Sequence, residues 1–443
     1  MSNMSWFEKV TNNRWVQLIA GFIAMVVISN YQYAFTYFKP GIQAALNAGS
    51  PEVVAIYSLF IAFETWPVPV GGYLVDRFGI RRLMILGSIM IAIGWIGTAL
   101  TNNLFLMYLF YGAIAGTGAG IIYISTVGNA VKWFPDRRGL AAGITAAGFG
   151  GGASITIIPF TLSISSIGWR TTMLIAAIIQ GIIAFAMALI LKHPPQEYVT
   201  KFAQRITESS RVLQTAKNYS WHEAIRRPEF WLMYIMFVMT ATGGLMAVGN
   251  LTDIAKFVGV GSATILGISV AAVAGTITGV TNALARIAWG GVSDRLGREN
   301  TMTIAFLLEA ALVFLITTTL VKDPVLFTVI LGVAYLAWGE IFSLYSALTA
   351  DAFGPKYASA NYGILYTAKG VASQIAGWGA ALIASISGTW TVPIYISVIF
   401  DIIAAILAIA VLKPMIRRRI KVEITKGVGK EEKIPQAQKD ENK

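Results

Sequence analysis

The chain has 443 residues, of which 56% are hydrophobic and only 13% charged. Soluble globular domains carry about 25% charged residues, so this composition excludes a water-soluble fold and points to a chain that crosses a membrane many times. A net charge of +12 raises the question of a polyanion partner, while the lack of any cysteine excludes disulfides and thiol chemistry.

Runs of about 20 nearly uncharged residues are long enough to span a bilayer. In chain order they predict twelve helices, at 15–38, 53–75, 83–101, 104–131, 139–163, 170–191, 229–252, 264–293, 301–320, 324–349, 361–385 and 390–412. Residues 1–14 are polar and mixed in charge and the first apolar run is long enough to span, so the first helix is expected to be retained rather than removed as a leader. The predicted organisation is a six-helix half (1–191), a basic cytoplasmic linker (192–228) expected to be solvated and partly helical, a second six-helix half (229–412) and a basic cytoplasmic tail (413–443) expected to be disordered.

With both termini placed inside the cell, all but six of the 34 lysines and arginines fall on inner segments. The exceptions are Lys39, Arg170, Lys256 and Lys322 in outer loops, and Arg286 and Lys369 within predicted spans. That asymmetry is the positive-inside rule, which fixes topology and needs no nucleic acid. The partners expected are the lipid bilayer, with Arg417, Arg418 and Arg419 suited to anionic headgroups, and a small solute. A multi-pass protein of the cell membrane, acting as a monomer, is the expectation. The two histidines, His193 and His222, both lie in the linker, so neither a metal site nor an intramembrane proton relay is expected from them.

The two intramembrane cations say most about function. Arg286 is the only charged residue between Lys256 and Asp294, and Lys369 the only one between Lys356 and Asp401. A charge at bilayer depth costs about 2.5–3.5 kcal/mol on insertion scales, so it persists where it faces a cavity and has a task. The task that suits two cations is holding an anion. Arginine offers a planar fork for a carboxylate and lysine a compact second charge. The competing account for Arg286 is snorkelling, since Asp294 lies eight residues on, about 12 Å along a helix. Four acids also fall in spans: Glu64, Glu309, Glu340 and Asp401. Glu340 follows Trp338 by two residues, roughly 200° around a helix, so it can face a neighbouring helix instead.

Internal repetition supports two halves. GGYLVDRFGIRR (71–82) follows the second helix and GGVSDRLGREN (290–300) the eighth, with Asp76 and Asp294 218 residues apart. WFPDRRGLAAG follows the fourth helix and AFGPKYASANYG the tenth. Parallel halves with a substrate site between them near the midplane are a transporter architecture. No G-x-x-x-x-G-K-[ST] loop occurs, so ATP is not expected to drive transport. No H-E-x-x-H motif or other enzyme constellation is present, and no cofactor is expected. Glycines in the fourth helix (Gly112, Gly116, Gly120) and in the fifth (Gly139 to Gly152) recur at spacings near four, which suits close helix contact.

The loop after the second helix resembles the signature loop of the major facilitator superfamily, its positions filled by Gly72, Asp76, Arg77, Gly79, Arg81 and Arg82. The second copy keeps Gly290, Asp294, Arg295 and Gly297. The resemblance implies an all-α fold of twelve transmembrane helices in two pseudo-symmetric halves. It also implies that these charges form a conformational gate that can latch the halves. A closer resemblance, running through YQYAFTYFKP, NAVKWFPDRRGLAAGITAAG, ALARIAWGGVSDRLGR and NYGILYTAKG, is to the oxalate/formate antiporter family, which exchanges small carboxylates. It implies that Arg286 and Lys369 are the cavity cations, with Gln32, Tyr33, Tyr123 and Trp338 around the substrate. Phe342 stands where that family carries a tyrosine, and Glu64 and Glu340 where it carries neutral glutamine and glycine. The two glutamates are therefore candidates for coupling, holding the cations in internal salt bridges when the carrier is empty. Glu309 and Asp401 fall on helices that are peripheral in the resembled fold and are expected at the lipid edge or between helices.

The resulting expectation is a secondary transporter, not an enzyme, that moves small organic carboxylates by anion exchange. The alternative is proton-coupled uptake of a monocarboxylate such as lactate, and a more distant one is a carboxylate receptor that does not transport.

Overall fold

The computed structural model describes residues 10–134, 137–195, 215, 217–318 and 322–425. Its helices are α1 (Arg14–Tyr33, continued by Phe35–Leu46), α2 (Ser50–Gly71, continuing to Phe78), α3 (Ile80–Leu100), α4 (Leu104–Trp133), α5 (Leu140–Ile167), α6 (Trp169–Ile190), α7 (Pro228–Val258), α8 (Val270–Leu296), α9 (Arg298–Leu315), α10 (Pro324–Phe353), α11 (Ala358–Ser387) and α12 (Thr391–Glu423). Among the described residues, eleven of these are long and apolar enough to cross a membrane. The twelfth, α9, carries Arg298, Glu299 and Glu309 and packs against α10 and α12 as a full member of the bundle.

Small residues set how closely these helices approach, because lipid tails give apolar side chains little reason to prefer one another. Gly116 and Gly120 of α4 lie against the α2 backbone. A Cβ at Gly116 would stand 2.6 Å from the Phe60 carbonyl oxygen, and one at Gly120 would overlap the carbonyl of Glu64. That contact fixes the part of α2 that bears Glu64. The turns from α2 to α3 and from α8 to α9 each pivot on a glycine with positive φ, Gly79 at +83° and Gly297 at +85°. A side chain there would be strained, which explains the glycine shared by the two Asp-Arg loops.

The halves meet along α2 against α11 and α5 against α8. At the end remote from the termini, the Tyr37 hydroxyl donates to the Ala271 carbonyl at 2.9 Å and the Tyr57 hydroxyl to that of Leu245 at 3.0 Å. The loop between α7 and α8 holds a small hairpin, Thr264–Ile265 with Ile268–Ser269. It turns through Leu266 and Gly267, both at positive φ, as a two-residue hairpin turn requires.

Two expectations need correction. The tail is helical through Thr425 rather than disordered from Lys413. Arg419 explains why: it donates to Glu229 at 3.0 Å, to Glu423 at 3.1 Å and to the Ala352 carbonyl at 2.6 Å, while Ile416 and Ile420 are buried. Residues 426–443 lie outside the described residues. The end of the linker is likewise docked rather than solvated. The Tyr219 amide donates to Phe353, and Ser220 and Glu223 form a capping box on the short helix Trp221–Ala224. Hydrogen bonds from Lys217 and then from the Ser220 amide hold the Glu223 carboxyl down at about 2. Linker residues 196–214 and 216 lie outside the described residues.

Candidate functional site

Lys369 of α11 and Glu64 of α2 meet inside the bundle, with Nζ donating to Oε2 at 2.7 Å and neither side chain exposed. Tyr366, one helical turn before Lys369, closes the group. Its hydroxyl donates to Glu64 at 3.3 Å and accepts from Lys369 at 3.2 Å. The pair bridges the two halves, so it holds them together as well as setting the charge of the site.

Arg286 of α8 is 4% exposed, so it does not snorkel to the surface. Its Nη1 donates to the Ala146 carbonyl at 3.1 Å and its Nε lies 3.4 Å from the Asn282 amide oxygen, whereas Nη2 is buried without a partner. Gly150 makes room for the group, since a Cβ there would stand 2.8 Å from Nε. Asn282 in turn donates to the Tyr33 hydroxyl at 3.0 Å and to the Gly150 carbonyl at 3.2 Å. Arginine, asparagine and tyrosine are thus held as one unit across the seam.

Aromatic rings enclose both cations. The Phe342 ring has the Arg286 guanidinium 4.4 Å from its centroid and the Lys369 ammonium 5.8 Å from it. Phe149 lies 4.8 Å from that ammonium. Tyr123 stacks on Tyr366 at 5.3 Å and meets Phe149 edge-on at 5.5 Å, and Tyr33 meets Phe149 at 5.8 Å. Trp338 packs edge-on against Phe342 at 5.2 Å and directs its N–H to the Thr240 carbonyl, so it offers the site an apolar wall. Cation–π contacts of this kind are worth about 0.5–2 kcal/mol each, too little to replace a counter-anion.

Of the residues singled out in the sequence, Arg286, Lys369, Tyr33, Tyr123 and Trp338 therefore gather around Phe149 and Phe342. Gln32 is buried, and neither end of its amide has a hydrogen-bond partner. Phe149, Asn282 and Tyr366 were missed. For two of them the signal was available: Asn282 precedes Arg286 by four residues and Tyr366 precedes Lys369 by three, the spacings that share a helix face.

The acids divide. Glu64 pairs with a cation. Glu340 does not, and the expectation that it could hold one is corrected. It sits at the break between the Pro324–Trp338 and Ile341–Phe353 segments of α10, with both carboxyl oxygens buried and unpartnered. Its position two residues after Trp338 turns it away from the ring that lines the site. Glu309 and Asp401 lie between helices at 1% and 0% exposure, not at the lipid edge.

The gate residues fall at the face that carries the termini. Gly72 and Asp76 lie in the helical segment Val68–Phe78. Arg77 donates to the Tyr73 hydroxyl, Arg81 to the Leu189 carbonyl, and Arg82 and Arg295 are exposed. Asp294 meets Arg298 at 2.7 Å, and Arg298 also binds Asp351 at 3.0 Å. These contacts tie α8, α9 and α10 together within the C-terminal half. At the opposite face the sequence concealed an inter-half pair. Lys39, expected in an outer loop, is fully buried, donating to Asp253 at 2.5 Å and to Asn250 at 3.1 Å.

Twelve helices in two halves, closed over buried cations, have the architecture of a multi-pass membrane transporter. The chain belongs to the Major Facilitator Superfamily, whose model matches residues 18–280 and 255–433. It is 32% identical over 408 residues to the oxalate:formate antiporter of Oxalobacter formigenes, covering 91% of this chain and 92% of that one. An uncharacterised transporter of the same superfamily from Escherichia coli is 28% identical over 361 residues, 81% of this chain and 86% of that one. Monocarboxylate transporter 12 of Xenopus laevis is 23% identical over 394 residues, 82% of each chain.

Proposed function

We propose that this protein exchanges small organic carboxylates across the cell membrane, as a monomer with both termini in the cytoplasm. The observation that carries the reading is the unpartnered, buried Nη2 of Arg286 beside a second cation. A buried donor left unmade costs about 1–3 kcal/mol, more when charged, and a carboxylate supplies the missing acceptor. The relative's name pairs oxalate with formate, and this chain holds two buried cations against one ring.

Glu64 alters the charge the substrate meets. Two cations and one carboxylate leave about one positive charge, matching a single carboxylate. An arriving substrate competes with Glu64 for Lys369, so binding loosens the pair that holds the halves together. Without substrate the pair closes again and the empty carrier resists reorientation, which is a physical basis for exchange. The loop from Gly72 to Arg82 and its counterpart at Asp294 and Arg295 then gate the movement without touching the anion. A second reading, proton-coupled uptake of a monocarboxylate, is favoured by the same pair, because a proton on Glu64 would release Lys369.

Proteoliposomes loaded with unlabelled formate and given labelled formate, oxalate or lactate test both. Accumulation that needs internal anion supports exchange. Uptake into empty vesicles driven by external acid supports the second reading, and no movement of any carboxylate rejects both.

A further inference from the structure

Glu309 of α9 and Asp401 of α12 converge on one point of α7, away from the anion site. A Cβ at Gly243 would stand 3.0 Å from Glu309 Oε1 and 3.7 Å from Asp401 Oδ2. The glycine is what lets both carboxyls reach there. Glu309 Oε2 and both Asp401 oxygens are buried without hydrogen-bond partners, as are both oxygens of Glu340, which lies near enough to act electrostatically on Glu309. Groups from three helices surround the acids. α12 brings Asp401, α10 brings Tyr335, Glu340 and Tyr345, and α7 brings Gly243 and Thr240. No lysine or arginine is paired with any of the three acids among the described ion pairs.

Carboxylates held this way in a low-dielectric interior cannot all stay ionised, because an isolated buried charge costs many kcal/mol. A metal ion is a poor answer, since no three potential ligands cluster for one among the described residues. A proton fits, because two neighbouring carboxyls can share one. A narrow cavity lies beside the pair, lined by Glu309, Val313, Ile316, Leu251 and Ile394, and Trp338, which lines the anion site, is also in its wall.

We propose that Glu309 and Asp401 form a proton-binding site in the C-terminal half, distinct from the anion site, set beside this cavity and changing its proton content during the transport cycle. Loading moves a proton from water onto one carboxylate oxygen, and release returns it. Trp338 is the wall common to both sites, so a shift that accompanies anion binding reaches the acid pair through it.

Two measurements test this. The first does not depend on transport: the purified wild-type protein is treated with dicyclohexylcarbodiimide, which attacks protonated carboxyls in apolar settings, and labelled peptides are mapped by mass. Labelling at Glu309 or Asp401 that falls several-fold from pH 6 to pH 9 is expected. No labelling, or equal labelling at both, overturns the proposal by showing carboxyls that never titrate. The second rests on the exchange reading: formate counterflow at equal internal and external pH, from pH 5 to 8. Glu309→Gln with Asp401→Asn should retain counterflow and lose the wild-type pH profile. A double variant with an unchanged profile overturns the link to the cycle. If wild-type protein moves no carboxylate, the exchange reading fails and the labelling alone decides the proton site.

Discussion

Lys369 and Glu64 form a fully buried ion pair that joins the two halves, Nζ to Oε2 at 2.7 Å. The lysine is the residue proposed to receive substrate, and the glutamate is the one that competes for it. Removing the competitor should therefore strengthen anion binding, and the empty carrier loses the contact that resists its reorientation. Glu64→Gln is expected to lower the KM for a dicarboxylate such as oxalate by about tenfold, equivalent to about 1.4 kcal/mol, with a smaller change for formate. Competition in counterflow measures the ratio. If oxalate and formate shift equally, the glutamate does not set the charge of the site.

Arg286 is the group whose loss should be least tolerated. Its fork is positioned by Asn282 and Ala146, with one nitrogen free for substrate. Hydrogen bonds to charged groups are worth about 1.5–3 kcal/mol, or roughly 10- to 150-fold in affinity. Arg286→Gln should abolish exchange, and Arg286→Lys should reduce it by at least about tenfold, because an ammonium cannot reproduce a fork. Membrane insertion, read by protease protection, should be unaffected. Lys-variant rates near wild type would show that a point charge suffices.

Phe342 separates the two cations, 4.4 Å from one and 5.8 Å from the other by ring centroid. A hydroxyl added to this ring, which packs among Phe237, Trp338 and Tyr366, finds its partner in substrate or stays unsatisfied at about 1–3 kcal/mol. Phe342→Tyr should accordingly raise the preference for oxalate over formate and lower the thermal stability of the empty protein, with oxalate restoring it. Melting curves with and without each anion read this directly. Equal protection by both anions would place the hydroxyl outside the site.

The contrast between what the chain disclosed and what it hid follows from how charge is used. Arg286 and Lys369 were visible because an isolated cation in twenty apolar residues has few explanations. Glu64 was visible as an acid in a span, but its partner sits 305 residues away, and a pairing at that separation leaves no mark in local spacing. Lys39 was misplaced for the opposite reason. Pro40 follows it and reads as the end of a helix, yet the segment Phe35–Leu46 runs on through the proline with Lys39 inside. The tail's density of basic residues points to disorder, but Arg419 finds Glu229 and Glu423, partners that composition alone cannot assign.

The buried Lys39–Asp253 pair should govern access from the face opposite the termini. It links the end of α1 to the end of α7, and Ser50 adds a hydrogen bond to the same carboxylate at 3.1 Å. Breaking a buried pair on one side costs about 3–5 kcal/mol because a charge is left uncompensated. The two partners differ, however: Lys39 is fully buried while Asp253 is 20% exposed. Asp253→Asn strands the ammonium, so the closed state should lose stability until the face opens and water reaches Lys39. Lys39→Met leaves an aspartate that water already touches, and its effect should be distinctly smaller. Thr36 is the probe, since it is buried and its hydroxyl lies 3.2 Å from that of Thr252 across the seam. The chain contains no cysteine, so Thr36→Cys introduces the only thiol. A membrane-impermeant maleimide should then label it about tenfold or more faster with Asp253→Asn than without, and only slightly faster with Lys39→Met. Equal labelling in all three backgrounds would remove the pair from the gate and leave it a structural contact.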